Sequence, residues 1–61
     1  MFIRLTSASL GTPAWVVVGY VQAVIGNPRG GSRVKMMDGW VEVSEEPDDV
    51  IRLIEQTQGD L

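Results

Sequence analysis

The chain contains no cysteine and no histidine. Without cysteine there is no disulfide and no thiolate-held metal. Without histidine the commonest general base and the commonest zinc ligand are both missing. Acids are confined to one end: none precedes Asp38, and beyond Asp38 the one base is Arg52. Long apolar runs are absent as well. AWVVVGYVQAVIG is broken by Gly19, Tyr20 and Gln22, and it falls short of the roughly 20 residues a membrane-spanning helix needs. The opening MFIRLTS lacks the basic and apolar regions of a secretory signal. These absences lead to the expectation of a cytoplasmic protein with no membrane contact, no metal and no cofactor.

What remains is a small folded domain. With 44% hydrophobic and 21% charged residues the chain is not disordered. A chain of 61 residues buries only about 60% of the surface its unfolded form exposes, so its core is marginal. Small domains usually add a staple or a partner subunit. With disulfides excluded, the expected staple is self-association, that is, a homo-oligomer. The net charge of −3 hides a polarity: Arg4, Arg29, Arg33 and Lys35 make the first part +4, and the remainder is −7, eight acids against Arg52. Such polarity steers anions to one end or pairs copies head to tail; its simpler meaning is that the acids form a solvated helix face.

The order of elements can be read from periodicity. FIRLT alternates Ile3 and Leu5 against Phe2, Arg4 and Thr6, a strand over about 2–6. SASLGTP is a loop. Strands are expected over about 14–18 and 20–25, with Gly19 as a break and Val21, Ala23 and Ile25 on one face. A strand over about 32–37 sets Val34 and Met36 against Arg33 and Lys35. Asp38-Gly39 predicts a type I′ hairpin turn, followed by a strand over about 40–43 with Val41 and Val43 inward and Trp40 and Glu42 outward. A helix over about 47–57 begins at Pro47, with Asp48 and Asp49 in its first turn and Ser44 or Glu46 as its cap. Val50, Ile51, Ile54 and Leu53 supply its apolar stripe, and Gly59 its stop. The expected fold is α+β: a small antiparallel sheet of about five strands with one C-terminal helix, in a single domain.

IRLT at the start, the loop ending in Gly11 and Pro13, WVVVGYVQAV, GSRVKMMDG, VEV and EEPDDVIRLI together resemble the FlbD-like family of small flagellar and swarming-motility proteins, over nearly the whole chain. Small members of that kind are also similar to accessory proteins carried by phages. The resemblance implies the fold and no enzymatic activity, and it carries over no catalytic residue. NPRGG is longer and more basic than the flagellar pattern requires, and Trp15 and Trp40 stand where simpler residues would serve.

NPRGGSR, residues 27–33, has two readings. Asn27-Pro28 suits the start of a type I turn and Gly30-Gly31 suits positive φ, so an ordinary hairpin loop explains most of it. As an anion site, Arg29, Gly30, Gly31, Ser32 and Arg33, with Lys35 nearby, supply backbone N–H groups and arginine forks. No Walker pattern is present. Trp15, Tyr20, Met37 and Trp40 are candidates for an interface or a stacking platform, against simple core packing. Glu45, Glu46, Asp48 and Asp49 lack the pattern of a calcium loop and are explained by a helix start. The serines have no histidine partner, so no catalysis is expected.

Three functions compete. The first is a non-enzymatic, oligomeric interaction protein, such as a phage accessory or inhibitor that binds a host protein. The alternative is an oligomeric sponge for a phosphorylated signalling nucleotide, with arginines pairing charge and aromatics stacking the base. A flagellar or swarming-motility role follows from the resemblance alone. Nucleic-acid binding is disfavoured by a pI near 4.5.

Overall fold

Alternation in FIRLT puts Ile3 and Leu5 on one face, and both are buried in the structure. A computed structural model of the chain describes residues 1–59, with side-chain surroundings through Thr57. The first strand, β1 (Phe2–Thr6), pairs antiparallel with β2 (Pro13–Val17), Ile3 opposite Val16 and Leu5 opposite Ala14. A 3-10 turn (Val18–Tyr20) leads to β3 (Ala23–Gly26), β4 (Ser32–Met36) and β5 (Gly39–Val43), which form a second antiparallel sheet in that order. The helix α1 (Pro47–Gly59) closes the described chain and packs against β1 and β3. Ile3, Leu5, Val16, Val34, Val43 and Val50 form one core, drawn from both sheets and the helix. No helix among the described residues is long and apolar enough to cross a membrane.

The expected single five-stranded sheet is divided in two. Beyond Thr6 the chain turns into the 7–12 loop, held by Ser7 N–H to Thr12 C=O (2.8 Å) and Gly11 N–H to Ser7 C=O (2.8 Å). Only a bridge between Ser7 and Val43 remains to join β1 to β5. It is flanked by Ser44 N–H to Thr6 C=O (2.9 Å) and Ala8 N–H to Glu42 C=O (3.0 Å). So short a junction lets the sheets fold toward each other around the shared core.

Four local expectations are corrected. The strand expected over 14–18 ends at Val17, and the one expected over 20–25 begins only at Ala23. Between them the 3-10 turn, closed by Val21 N–H to Val18 C=O (3.1 Å), resets the side-chain phase. Val24 therefore faces inward opposite Val34, while Ala23 and Ile25 face solvent opposite Lys35 and Arg33. The β4–β5 loop is Met37-Asp38, because Gly39 already pairs with Met36. No residue of that loop has positive φ, and neither does Gly39, so the turn is not type I′. Placing the loop one residue earlier keeps Val41 and Val43 inward and sets Val43 opposite Ser32.

In the helix, Val50 is buried and Leu53, Ile54 and Thr57 are half-buried, the i, i+3, i+4, i+7 stripe of a single face. Ile51 falls outside that stripe and is exposed. Glu46 is the cap, since its C=O accepts the N–H groups of Asp49 (3.0 Å) and Val50 (3.1 Å). The Ser44 N–H is already committed to Thr6. The helix includes Gly59, two residues past the end expected at about 57; Asp60 lies outside the described residues.

Candidate functional site

The loop at residues 27–33 joins β3 to β4. It is closed by Asn27 N–H to Gly31 C=O (3.0 Å) and Gly30 N–H to Asn27 C=O (2.9 Å). The Asn27 side chain adds an Asx turn by accepting the Arg29 N–H at 3.2 Å. Gly30 and Gly31 both take positive φ (98° and 78°). One of the two glycines does hold an anion, and it belongs to this chain: the Gly31 N–H donates to Glu46 Oε1 at 3.1 Å. The buried Ser32 donates its hydroxyl to the Glu45 C=O at 2.7 Å. The Gly31 N–H and the Ser32 hydroxyl are thus directed at the helix start.

The six candidate anion-binding residues do not converge. Gly31 and Ser32 face the segment before α1, whereas Arg29 is exposed at the loop tip with no ion pair among the described residues. Gly30 lies exposed beside it. Arg33 and Lys35 point to the outer face of the three-stranded sheet. There Lys35 lies opposite Trp40 and Arg33 opposite Glu42, with Ala23 and Ile25 completing the rows. The Arg33 Cζ lies 4.8 Å from the Trp40 ring centroid and Lys35 Nζ 5.7 Å from it, both within cation–π range. Arg33 Nε also lies 4.0 Å from Glu42 Oε1.

The four aromatic-or-methionine candidates are all exposed but lie on separate elements. Trp15 (64% exposed) is on β2, Tyr20 (54%) on the 3-10 turn, Met37 (64%) in the β4–β5 loop and Trp40 (45%) on β5. Phe2, Leu10 and Ile25 join them as exposed apolar groups. The alternation of FIRLT pointed to Phe2; the exposure of Ile25 was hidden by the phase shift at the 3-10 turn. Phe2 shares the outer face of the β1–β2 sheet with Arg4, Trp15 and Val17, since it lies opposite Val17 and Arg4 lies opposite Trp15. The described residues enclose no pocket and bring no three potential metal ligands together.

The acidic run serves the fold. Glu45 accepts the Thr6 N–H through Oε1 and the Thr6 hydroxyl through Oε2, each at 2.9 Å. Burial would raise its pKa. The bonds from Thr6 N–H, its own N–H and the Thr6 hydroxyl, with the charge of Arg4, outweigh burial and hold the carboxyl below its ordinary value. A depressed folded-state pKa contributes stability above the unfolded pKa, and that contribution is lost as pH falls through the folded value. Glu45→Gln is therefore expected to cost about 1 kcal/mol at pH 7, or roughly 4–8 °C in Tm for a domain of this size. Thermal melts from pH 7 to pH 3 should show the gap closing in acid. A gap that stays constant over that range would remove the carboxylate from this role.

No protein-family model, no curated protein and no solved structure matches this chain.

Proposed function

We propose that this is a non-enzymatic, oligomeric interaction protein that captures a partner protein through its exposed aromatic surfaces. The observation that supports this reading most is where its aromatics stand. The chain has two tryptophans, one tyrosine and one phenylalanine, and all of them are exposed while the core is entirely aliphatic. Large aromatics ordinarily supply core packing, and tryptophan and tyrosine left at a surface are the commonest anchors of protein interfaces. A cytoplasmic accessory or inhibitor of the phage kind fits this reading.

A second reading draws on the Trp40 face. An exposed indole beside two cations offers base stacking and phosphate pairing to a nucleotide. With no pocket among the described residues of one chain, such a ligand would be enclosed between copies, as in a sponge for a phosphorylated signalling nucleotide.

Native mass spectrometry of freshly purified protein, beside the same sample denatured, separates the two. The protein-binding reading expects a multimer free of non-protein mass, and a partner captured by the native chain that Trp40→Ala releases. Extra mass lost on denaturation transfers the assignment to the nucleotide reading. A bare monomer that captures nothing sinks both.

A further inference from the structure

β1 and β5 meet at the Ser7–Val43 bridge, and the other two sheet edges are those of β2 and β3. α1 packs against β3, and Pro47 Cγ comes within 3.4 Å of where a Cβ on Gly26 would stand. The outer edge of β2 is open, since β2 pairs with β1 alone. Its hydrogen-bonding phase follows from the ends of the ladder. Ser7 N–H reaches Thr12 C=O and Val18 N–H reaches Met1 C=O, both at 2.8 Å. By alternation, Ala14 and Val16 turn their N–H and C=O groups toward β1, and Trp15 and Val17 turn theirs outward.

Natural edges of this kind are blunted by charges, proline or a bulge. Here the protection is slight. No charged residue lies anywhere between Arg4 and Arg29, and Pro13 sits only at the first position of the strand.

We infer that the open edge of β2 pairs, antiparallel and across a two-fold axis, with β2 of a second copy, joining two β1–β2 sheets into one of four strands. This rests on the oligomeric part of the function proposed above and names the surface that closes the oligomer. The occupant is a second copy because the edge is complementary to itself. An antiparallel strand paired with its own sequence fails where like charges meet, and PAWVV has none to oppose. Trp15 and Val17 of each copy donate outward N–H groups to carbonyls of the other, and Pro13, which has no N–H, limits the pairing on that side. Pairing also brings the two Trp15 rings, each beside its own Arg4, to the centre of one continuous outer face.

Val17→Pro is the direct test. Val17 has φ −78° and ψ 116°, which proline accepts, and its N–H makes no bond to β1, so the fold is retained while one outward donor is lost. Sedimentation velocity over a concentration series should find the wild type at twice the chain mass or a multiple of it. Val17→Pro should self-associate at least tenfold more weakly, with an unchanged circular dichroism spectrum. Trp15→Lys, which sets like charges together at the centre, should do the same, and Trp40→Ala should keep the wild-type mass. If both β2 variants keep the wild-type mass, the oligomer closes elsewhere and the edge assignment falls while the oligomeric reading stands. A wild type that stays monomeric overturns both. Should the β2 variants fail to fold, amide exchange of the wild type by NMR decides. Exchange at Trp15 and Val17 must slow as concentration rises, and concentration-independent exchange there overturns the pairing.

Discussion

Gly31→Ala is expected to lower stability by about 3–5 kcal/mol, more than the same change at Gly11, Gly19, Gly26, Gly30 or Gly39. Two costs combine. Gly31 has φ 78°, a conformation that costs a residue with a Cβ roughly 1–2 kcal/mol. The added Cβ would also lie far inside contact distance of the Val43 carbonyl oxygen, with Ser44 Cα at 3.4 Å. Val43 is held in place by its pairing with Ser32 and its bridge to Ser7, so the obstacle is backbone and does not swing aside. Moving Gly31 instead breaks its N–H bond to Glu46, beside the start of the helix. A domain of this size has a total stability of about 3–9 kcal/mol, so the variant should lose most of its folded population or melt about 12–40 °C lower. Two neighbours calibrate the result. Gly30→Ala meets only the Glu46 carboxylate at 3.9 Å and carries the conformational cost alone, while Gly39→Ala meets nothing and should be near neutral. If Gly31→Ala melts with Gly30→Ala, the close approach to β5 is wrong.

Leu5→Ala should follow at about 2–5 kcal/mol, from lost transfer energy and the cavity left behind. Leu5 is the largest side chain that is fully buried, in a core where every other fully buried apolar group is a valine. Valines are stiff about χ1 and poorly able to fill a gap, which puts the expected cost toward the upper end of that range. Phe2→Ala provides the contrast: one strand, a larger side chain, but a position 60% exposed, where losses usually stay within about 0.5 kcal/mol. Urea unfolding of both variants checks this. A Leu5→Ala midpoint no lower than that of Phe2→Ala would mean that β1 packs its other face inward.

The candidate site was only partly legible. Arg29 to Arg33 are neighbours in sequence, and contiguity made them look like one cradle. In β4, however, alternation turns Ser32 inward and Arg33 outward, and the Gly31 N–H is taken by Glu46, fifteen residues away along the chain. The grouping of Arg33 and Lys35 on one face was readable from their spacing, as was the outward position of Trp40. That Trp40 stands across from Lys35 was not, because the register depends on a loop at Met37-Asp38 that the Asp-Gly signal misplaced.

Amino-acid sequence by itself determined the five strands and the C-terminal helix, the inward faces of β1, β4 and β5, the helix start at Pro47 and the absence of thiol and imidazole chemistry. These follow from local rules, since side-chain period, proline geometry and composition act over a few residues. Tertiary structure alone decided the division into two sheets, the phase of β3 and the use of Glu45 and Glu46 as ties to Thr6 and Gly31. It also decided that β2 pairs with β1 alone and leaves its outer edge open. Each of those depends on backbone groups distant in sequence finding one another, and a hydrogen-bond partner 39 residues away, as Glu45 is from Thr6, leaves no periodic trace in the chain.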